Sequence, residues 1–368
     1  MKSSILITGA TGVMGRELVP ALYARSSADL VLLVHKSGAD ENHSTFLRKY
    51  YGLSPCRRLR VIQGDVTRSD LGLALSDRRE LQKSLTHILH TAADTRFSQG
   101  IEQARIVNLN GTRHVAEFAS ACRSLRQFGH VSTAYVSGKR KGQIRESELV
   151  HDLGFLNTYE QSKYEAECFV RSIANFLPVS VFRPSIILGN SRTGAVNKMA
   201  APHQTMRLMY DGVAQVLPGT PEYPINFIPN DYAATTICQL FLTQFRPGCT
   251  YHITASEEKT ITLSDFIHEV FDAFATTDPK WTLRNIVEPV IAPEKKVGQV
   301  SNPTESRDGS KVPGVLKSIR QLDYPKMFDR CNVTNAIPEY DYELPDPREY
   351  LKKVVRFCVA TQWGRLLA

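Results

Sequence analysis

Two side chains with the chemistry of a proton donor and its electrostatic partner, Tyr159 and Lys163, stand four residues apart. On a helix this spacing places both side chains on one face. A neighbouring ammonium lowers the pKa of a phenol from its usual value of about 10, so Tyr159 is a candidate general acid towards a carbonyl oxygen. Thr133 supplies a hydroxyl for the same oxygen. The alternative is a surface tyrosine with a lysine one turn later, which is the commoner origin of an isolated pair.

A glycine-rich turn near the N-terminus predicts a site for a dinucleotide. It separates an apolar run, residues 5–7, from a helical pattern over residues 16–25. Gly9 permits a tight turn, Gly12 lets the backbone approach a pyrophosphate, and Gly15 lets the helix pack on the strand. The strand-to-helix context disfavours an ordinary turn. The predicted cofactor contacts here are Thr8, Gly9, Thr11, Gly12, Val13, Met14 and Gly15.

The end of the second apolar run bears on which dinucleotide is bound. Residues 30–34 are followed by His35 and Lys36, where a Rossmann fold usually carries an acid for the ribose hydroxyls. An acid repels a 2′-phosphate and a cation attracts it, so His35 and Lys36 predict NADPH rather than NADH. The alternative is that both are solvated loop residues. With this cofactor, hydride would reach the carbonyl carbon while Tyr159 donates the proton.

Strand and helix patterns alternate over nearly half of the chain. Further strands are predicted at residues 60–64, 88–91 and 129–133, with a long helical stretch at 101–122. Such regular helical crossovers predict an α/β fold, a Rossmann doubly wound parallel sheet. Ligands bind at the carboxyl ends of strands in this architecture, where the glycine turn, Asp65, Ala92 with Ala93, and Ser132 with Thr133 all fall. The alternative to Thr133 as the acting hydroxyl is its neighbour Ser132.

Composition limits the function classes. The 368 residues are 42% hydrophobic and 22% charged, as in ordinary globular chains. No stretch approaches 18 uninterrupted apolar residues, so we predict a cytoplasmic chain with no integral membrane segment. The net charge of +8 is scattered, which argues against nucleic acid and suits a phosphorylated cofactor or an acidic carrier protein. The seven cysteines lack zinc-site spacing, so we predict no metal.

The order of short motifs along the chain resembles that of the extended short-chain dehydrogenase/reductase superfamily, over residues 1 to about 265. The motifs are the glycine turn, Gly64-Asp-Val66, His90-Thr-Ala-Ala93, Asn108-Leu-Asn-Gly-Thr112, Val131-Ser-Thr-Ala-Tyr135, Tyr159-x-x-x-Lys163 and Arg183-Pro-Ser185. The resemblance implies a catalytic set of Thr133, Tyr159 and Lys163, with Asn108 supporting the proton relay. It implies further cofactor contacts from Asp65, Val66, Thr91, Ala92, Ala93, Lys163, Pro184, Ser185 and Ile186.

Within the superfamily, the chain is most similar to thioester reductases and fatty acyl-CoA reductases. The similarity lies in residues 70–73, 108–113, 132–136 and 182–187 and in the insertion at 40–52. It implies NADPH-dependent reduction of an acyl thioester to an aldehyde or alcohol, with a small acyl or carbonyl substrate delivered on coenzyme A or on a carrier protein in trans. The alternatives are a ketone, hydroxysteroid or aldehyde dehydrogenase/reductase, a nucleotide-sugar epimerase, and a non-catalytic regulator.

The same resemblance suggests a division of the chain. We predict an NADP-binding Rossmann domain over residues 1–188, to which 226–255 return. Residues 189–225 and 256–368 are predicted to form a smaller, mostly C-terminal substrate-binding region. The polar segment 294–312 is predicted to be a mobile loop or lid, and Pro347 predicts the start of a C-terminal helix. No feature of the sequence determines the oligomeric state.

Overall fold

Parallel strands form the centre of the molecule. A computed structural model describes residues 3–35, 43–292 and 324–367. The strands are β1 (Ser4–Thr8), β2 (Asp29–Val34), β3 (Leu59–Gln63), β4 (His87–His90), β5 (Gln127–Val131), β6 (Gly142–Ile144), β7 (Val179–Pro184), β8 (Ile186–Ile187), β9 (Val216–Pro218), β10 (Pro224–Ile225), β11 (Phe227–Ile228), β12 (Thr250–Ile253), β13 (Ile261–Thr262), β14 (Val290–Ala292) and β15 (Lys326–Phe328).

The main sheet has seven strands in the order β12-β7-β5-β4-β1-β2-β3, and every neighbouring pair is parallel. The predicted Rossmann doubly wound parallel sheet is therefore confirmed. The order reverses between β1 and β4, because β2 and β3 extend to one side and the later strands to the other. A crevice at such a reversal is where ligands bind in open α/β sheets.

Helices connect the strands and cover the sheet. They are α1 (Val13–Arg25), α2 (His43–Tyr51), α3 (Leu75–Ser84), α4 (Ile101–Arg105), α5 (Gly111–Ser120), α6 (Thr158–Ser172), α7 (Ala201–Tyr210), α8 (Asn230–Thr243), α9 (Leu263–Thr277), α10 (Cys331–Ala336), α11 (Tyr340–Glu343) and α12 (Pro347–Ala360). A π-helical turn, Ile106–Asn110, joins α4 to α5. None of the helices in the described ranges has the length and apolarity that a membrane crossing requires.

Both faces of the sheet are buried, which is why its strands are almost continuously apolar. Side chains alternate along β1, so Ile5 and Ile7 pack beneath α1 and α8 while Leu6 packs beneath α3 and α5 on the other face. Each face thus has its own apolar core, and the strand ends between the two layers remain open for ligands.

A second apolar core lies beyond the carboxyl ends of the strands. It is built by α7, α9 and α12 with the short strands, and Leu263, Phe274 and Val354 are among its fully buried members. Parallel pairing of β11 with β8 and antiparallel pairing of β10 with β13 tie it to the chain that leaves β7. This core forms the outer wall of the crevice above the sheet.

Part of the C-terminal segment returns to the sheet. Val333 and Tyr340 are buried in the core beneath α1 and α8, and the Tyr340 hydroxyl donates to the carbonyl of Thr254 at 2.9 Å. The predicted division into 1–188 with 226–255, and 189–225 with 256–368, stays a prediction. The proposed lid at 294–312 lies outside the described residues. The helix expected from Pro347 is present as α12.

Candidate active site

A cavity of about 480 Å³ lies over the sheet reversal, between the strand ends and the second core. Most of the residues predicted from sequence line it. These are Gly9, Thr11, Gly12, Val13, Met14, Thr91, Ala92, Ala93, Thr133, Tyr159, Lys163, Pro184, Ser185 and Ile186. Thr8, Gly15, His35, Asp65, Val66 and Asn108 are not among the lining residues, and Lys36 lies outside the described residues.

The glycine turn brings backbone very close to the cavity. Gly9 has φ +68°, and a Cβ there would lie 2.6 Å from the backbone nitrogen of Ala92. A Cβ at Gly15 would lie 2.3 Å from the Gly9 carbonyl oxygen, so α1 can pack this closely only with glycine. The helix begins without a side-chain cap and without an acid in its first turn. Its N–H groups and positive dipole end therefore suit an anionic group such as a pyrophosphate.

Two buried polar atoms in the cavity wall are also available for hydrogen bonds with a ligand. Ser185 Oγ and Asn230 Oδ1 have no hydrogen-bond partner within the part of the chain that the structure describes. Buried polar groups are almost always paired in folded proteins, so unpaired ones mark the contact points of a bound molecule. Together with the uncapped α1, they are compatible with a bound dinucleotide, while the pyrophosphate contact of Gly12 and the nicotinamide contact of Ser185 stay predictions.

The strand-end residues expected to select the cofactor lie next to each other. His35 Nε2 is 3.7 Å from a carboxylate oxygen of Asp65, and His35 is largely exposed. Asp65 also accepts from the hydroxyl of Thr67 at 2.7 Å and from its backbone N–H. Neither residue lines the cavity, so the adenine contact of Asp65 and the cofactor-selecting role of His35 stay predictions.

The first turns of α6 carry the proposed proton donor and its lysine. The side chain of Asn157 caps this helix by accepting from the N–H of Glu160 at 2.9 Å. Tyr159 and Lys163 then follow one turn apart on the face that lines the cavity. Lys163 is 1% exposed, and its ammonium donates to the carbonyl of Val131 at 2.8 Å. The cap thus fixes the helical register on which both side chains depend.

The pKa values of this pair differ from the sequence-based expectation. Desolvation in the cavity raises the pKa of Tyr159 to about 12, although a hydrogen bond with Thr133 lowers it. Burial lowers the pKa of Lys163 to about 8, and Glu167 raises it. Lys163 contacts the Val131 carbonyl, so the expected lowering of the phenol pKa by the ammonium is not observed. Tyr159 holds its proton at neutral pH, as a general acid must.

Two adjacent hydroxyl residues follow β5, and they have different surroundings. The Ser132 hydroxyl donates to Glu167 at 2.6 Å, and Glu167 is held by buried Arg183. The Thr133 hydroxyl has long contacts, to the Pro184 carbonyl at 3.4 Å and from the N–H of Tyr135 at 3.3 Å, in addition to its hydrogen bond with Tyr159. Both residues line the cavity. The Ser132 proton is used in a short hydrogen bond to Glu167, whereas the contacts of Thr133 to the Pro184 carbonyl and the Tyr135 N–H are long, which makes Thr133 the better candidate donor to a ligand oxygen.

Asn108 lies behind the site, in the π-helical turn. Its amide donates to Ser162 Oγ at 2.9 Å and to the carbonyl of Asp94 at 3.0 Å, and its side-chain oxygen accepts from the N–H of Asp94. It thus joins the loop after β4 to α6. No hydrogen bond from the Asn108 side chain to Tyr159 or Lys163 occurs in the described structure, so its part in a proton relay stays a prediction.

A buried hydrogen-bond chain links this turn to the glycine turn. Thr112 Oγ1 donates to the Asn108 carbonyl at 2.6 Å, so it must accept from His90 Nε2, 3.0 Å away. His90 Nδ1 then accepts from the hydroxyl of Thr8 at 2.7 Å. Burial lowers the pKa of His90 to about 3, which keeps the ring neutral. Thr8 therefore supports the site from behind without lining it.

Sequence reasoning missed several side chains of the cavity wall, among them Tyr135, Asn230 and Lys326. Tyr135 belongs to a motif that the resemblance used, but its ring had no assigned role. Lys326 is far along the chain in a segment without a motif, and only its position on β15 brings it to the cavity. No sequence signal marks it.

A family model described as male sterility protein, of NAD-binding type, matches residues 7–237 of the chain. The chain belongs to this family. Fatty acyl-CoA reductase wat of Drosophila melanogaster is 24% identical over 312 residues, covering 73% of this chain and 60% of that protein. Fatty acyl-CoA reductase 2 of Homo sapiens is 26% identical over 297 residues, covering 68% and 58%. The chain spans about three fifths of the length of these relatives.

Solved structures share the fold over nearly the whole chain. The terminal R domain of the myxalamid PKS-NRPS pathway superposes with a TM-score of 0.79 at 23% identity, covering 98% of this chain and 92% of that one. A thiolation-reductase di-domain of an archaeal non-ribosomal peptide synthetase gives 0.75 at 16%, covering 99% and 76%. With the family match, the resemblance to thioester reductase-like members of the extended short-chain dehydrogenase/reductase superfamily is confirmed, and a nicotinamide cofactor is supported.

Proposed function

We propose that this protein is an NADPH-dependent reductase that transfers hydride to the carbonyl carbon of an acyl thioester. One observation carries the proposal: Thr133, Tyr159 and Lys163 line the same cavity as the glycine turn, and the protonated phenol of Tyr159 is hydrogen-bonded with the Thr133 hydroxyl. The curated relatives named fatty acyl-CoA reductase, and the solved reductase domains of peptide synthetases, support a thioester as the substrate class.

In this reaction, Thr133, Tyr159 and Lys163 would each have a separate role. Bound NADPH supplies the hydride. Thr133 and Tyr159 hydrogen-bond the carbonyl oxygen, and Tyr159 donates its proton as negative charge develops there. Lys163, held against the Val131 carbonyl, places its ammonium for the nicotinamide ribose. The product is a hemithioacetal, whose carbon–sulfur bond then breaks to release aldehyde and thiol.

The residues at the end of β2 favour NADPH over NADH. No acid ends this strand, and the exposed imidazole of His35 lies beside Asp65 where the adenosine ribose would sit. At the position that ends β2, a 2′-phosphate would meet the ring N–H of His35, where an acid usually binds two ribose hydroxyls, although the Asp65 carboxylate lies 3.7 Å from that ring. The adjacent Lys36 is proposed to add a second cation.

The acyl group is proposed to arrive on coenzyme A or on a carrier protein in trans. Relatives of both kinds occur: fatty acyl-CoA reductases, and a linear gramicidin synthase of Brevibacillus parabrevis, which is 26% identical over 261 residues. A cytoplasmic location and the absence of a nucleic-acid partner remain predictions from the sequence.

The test is NADPH oxidation with a panel of acyl thioesters, aldehydes and ketones, followed at the nicotinamide absorbance band together with release of free thiol. We expect thioester-dependent oxidation with one thiol released per turnover in wild-type protein. Tyr159→Phe should bind NADPH with unchanged affinity and lose about 10²-fold or more in kcat, because only the proton donor is removed. Turnover of aldehydes or ketones alone would instead make the protein a carbonyl reductase.

A further inference from the structure

A second buried lysine lines the cavity outside the proposed catalytic set. Lys326, the first residue of β15, is 5% exposed, and its ammonium donates to the carbonyl of Tyr324 at 3.2 Å. That carbonyl is its one hydrogen-bond acceptor among residues 3–35, 43–292 and 324–367. An ammonium has three donors and is costly to bury without an anionic partner. Lys326 therefore retains both charge and donors on the cavity side.

The carboxylate of Glu160 acts on the charge of Lys326, but its hydrogen bonds are made with other residues. Glu160 is fully buried, and its two oxygens accept from the N–H of Leu156 at 3.1 Å and from the amide of Asn157 at 3.0 Å. These contacts hold the start of α6. No salt bridge between Lys326 and an acid is found in the described ranges, so the charge of Lys326 is not neutralised by a direct partner.

A second ammonium stands on the neighbouring strand. Lys141, which is exposed, immediately precedes β6, and Gly142 of β6 pairs with Lys326. The two ammonium nitrogens contact the same aromatic ring: Lys141 Nζ is 5.1 Å and Lys326 Nζ 5.5 Å from the ring centroid of Tyr324. Two cations on one ring repel each other, and a cation–π contact offsets only part of that cost.

The pair of lysines is fixed close to the proposed catalytic hydroxyl. Phe328 of β15 packs edge-on against Tyr135, with ring centroids 5.9 Å apart, and Tyr135 follows Thr133 by two residues. Phe328 also lies in a small apolar cluster with Ala134 and Ile144. Lys326 and Thr133 therefore line the same cavity, with Lys326 Nζ 6.0 Å from the ring centroid of Tyr135, while Lys141 lies at the surface next to β15.

We propose that Lys326 and Lys141 form a binding site for an oxyanion of the substrate. The inference deepens the proposed function and rests on it, since the oxyanion belongs to the acyl thioester. Two parts of such a substrate carry this chemistry: the phosphate of a phosphopantetheine arm and a carboxylate on the acyl group. Both accept charge-assisted hydrogen bonds from several ammonium protons at once, and either would supply a counter-charge that no salt bridge within the described residues gives Lys326.

The experiment compares three thioesters of one acyl length: an alkanoyl thioester of N-acetylcysteamine, which has no oxyanion, the same acyl group on phosphopantetheine, and an ω-carboxyalkanoyl thioester of N-acetylcysteamine. Each is assayed with wild type, Lys326→Met and Lys141→Met. Lys139→Met is the matched control, because it removes the same charge two residues from Lys141. Thermal unfolding of each variant verifies that the fold is retained, and Lys326→Arg provides a charge-retaining variant if the methionine variant unfolds.

We expect Lys326→Met to raise KM at least tenfold for one of the two oxyanion substrates and less than twofold for the plain alkanoyl thioester. Lys141→Met should change KM in the same direction, and Lys139→Met should leave KM unchanged. The affected substrate identifies the source of the oxyanion. An equal loss on all three thioesters, or no loss on any, overturns the inference.

A binding measurement separates this inference from the proposed function. Calorimetric titration with phosphopantetheine and with an ω-carboxyalkanoyl pantetheine analogue lacking phosphate gives affinities that need no turnover. If wild type reduces no thioester, the proposed function fails, while a tenfold weaker affinity of Lys326→Met for either probe would still support the oxyanion site. Equal affinities of wild type and Lys326→Met for both probes would reject the site even in an active reductase.

Discussion

Ser132 and Thr133 show how one residue of register decides which hydroxyl can act. Side chains alternate at the end of a strand, so the two hydroxyls leave β5 in different directions. Both residues line the cavity, but the Ser132 hydroxyl donates to Glu167 at 2.6 Å within a buried network that includes Arg183, whereas Thr133 has long contacts to Pro184 and Tyr135 and a hydrogen bond with Tyr159. We therefore expect Ser132 to contribute mainly to stability and Thr133 mainly to catalysis.

This contrast gives a prediction with a built-in control. Thr133→Val should lower kcat by about 10²-fold, because one donor to the developing oxyanion is lost, with little change in unfolding free energy. Ser132→Ala should leave kcat within about twofold and cost about 1–3 kcal/mol, because a buried carboxylate loses a donor. Steady-state kinetics and urea unfolding of both variants check this. The reverse pattern would make Ser132 the acting hydroxyl.

Individual site residues could be predicted from the sequence where the spacing between them has a direct structural meaning. Tyr159 and Lys163 could be assigned because four residues make one helical turn, and Gly9 and Gly15 because their backbone positions exclude a side chain. Lys326 could not be assigned, because its role depends on β15 pairing with a strand far away in sequence. A lone lysine has no local pattern that distinguishes a cavity wall from a solvated surface.

The first turn of α6 is the element on which the proposed chemistry depends. Asn157 caps it, Tyr159 lies in its first turn, and Glu160 closes the cap by accepting from the Asn157 amide. A capping residue contributes about 1 kcal/mol to helix stability. Fraying of this turn would displace the phenol before it affected Lys163, which lies deeper and is fixed by the Val131 carbonyl.

We therefore predict that Asn157→Ala lowers both stability and activity. It should cost about 1 kcal/mol in urea unfolding and lower kcat about tenfold, because the phenol is held less often in its reacting position. The matched control is Asp346→Ala, which removes the side-chain cap of α12 by deleting an acceptor for the N–H of Arg348. It should lose similar stability at unchanged kcat. Equal kcat values for the two variants would contradict the argument.

Elements with strong periodicity could be predicted, and those shaped by tertiary contacts could not. The strands of the sheet and α12 follow from apolar runs and from Pro347 at the first helical position. The helical stretch expected at 101–122 is interrupted by the π-helical turn, which one inserted residue in the hydrogen-bond pattern produces. That turn aims Asn108 at Ser162 and the loop after β4, and no periodicity reveals it.

At the scale of the whole molecule, a buried carboxyl joins three distant parts of the chain. Glu146, 1% exposed, accepts from the N–H of His252 in β12 at 2.8 Å and from the N–H of Asn332 in α10 at 2.7 Å. Burial raises the pKa of Glu146 to about 7, although both N–H groups lower it. We therefore expect the docking of the C-terminal segment onto the sheet edge to be coupled to a proton.

The sign of this coupling follows from the two pKa values. The unfolded carboxyl titrates near its ordinary value of about 4.5 and the folded one near 7. Between these values the folded state binds more protons, so stability is greatest below pH 4.5 for this group and falls as pH rises through 7. The upper bound is about 3 kcal/mol, since each pKa unit corresponds to about 1.4 kcal/mol.

Urea unfolding at pH 5, 6, 7 and 8 measures the effect. We expect wild type to lose stability over this range and Glu146→Gln, which cannot ionise, to lose about 2–3 kcal/mol less of it. Glu148→Gln is the matched control, because hydrogen bonding by Arg145 and Arg140 lowers the pKa of Glu148, and a lowered pKa contributes stability that is lost only as pH falls. Between pH 5 and pH 8, the unfolding free energy of Glu148→Gln should run parallel to that of wild type or fall further below it as the pH rises. A Glu146→Gln profile parallel to that of wild type would show that docking of the C-terminal segment is not proton-linked through Glu146.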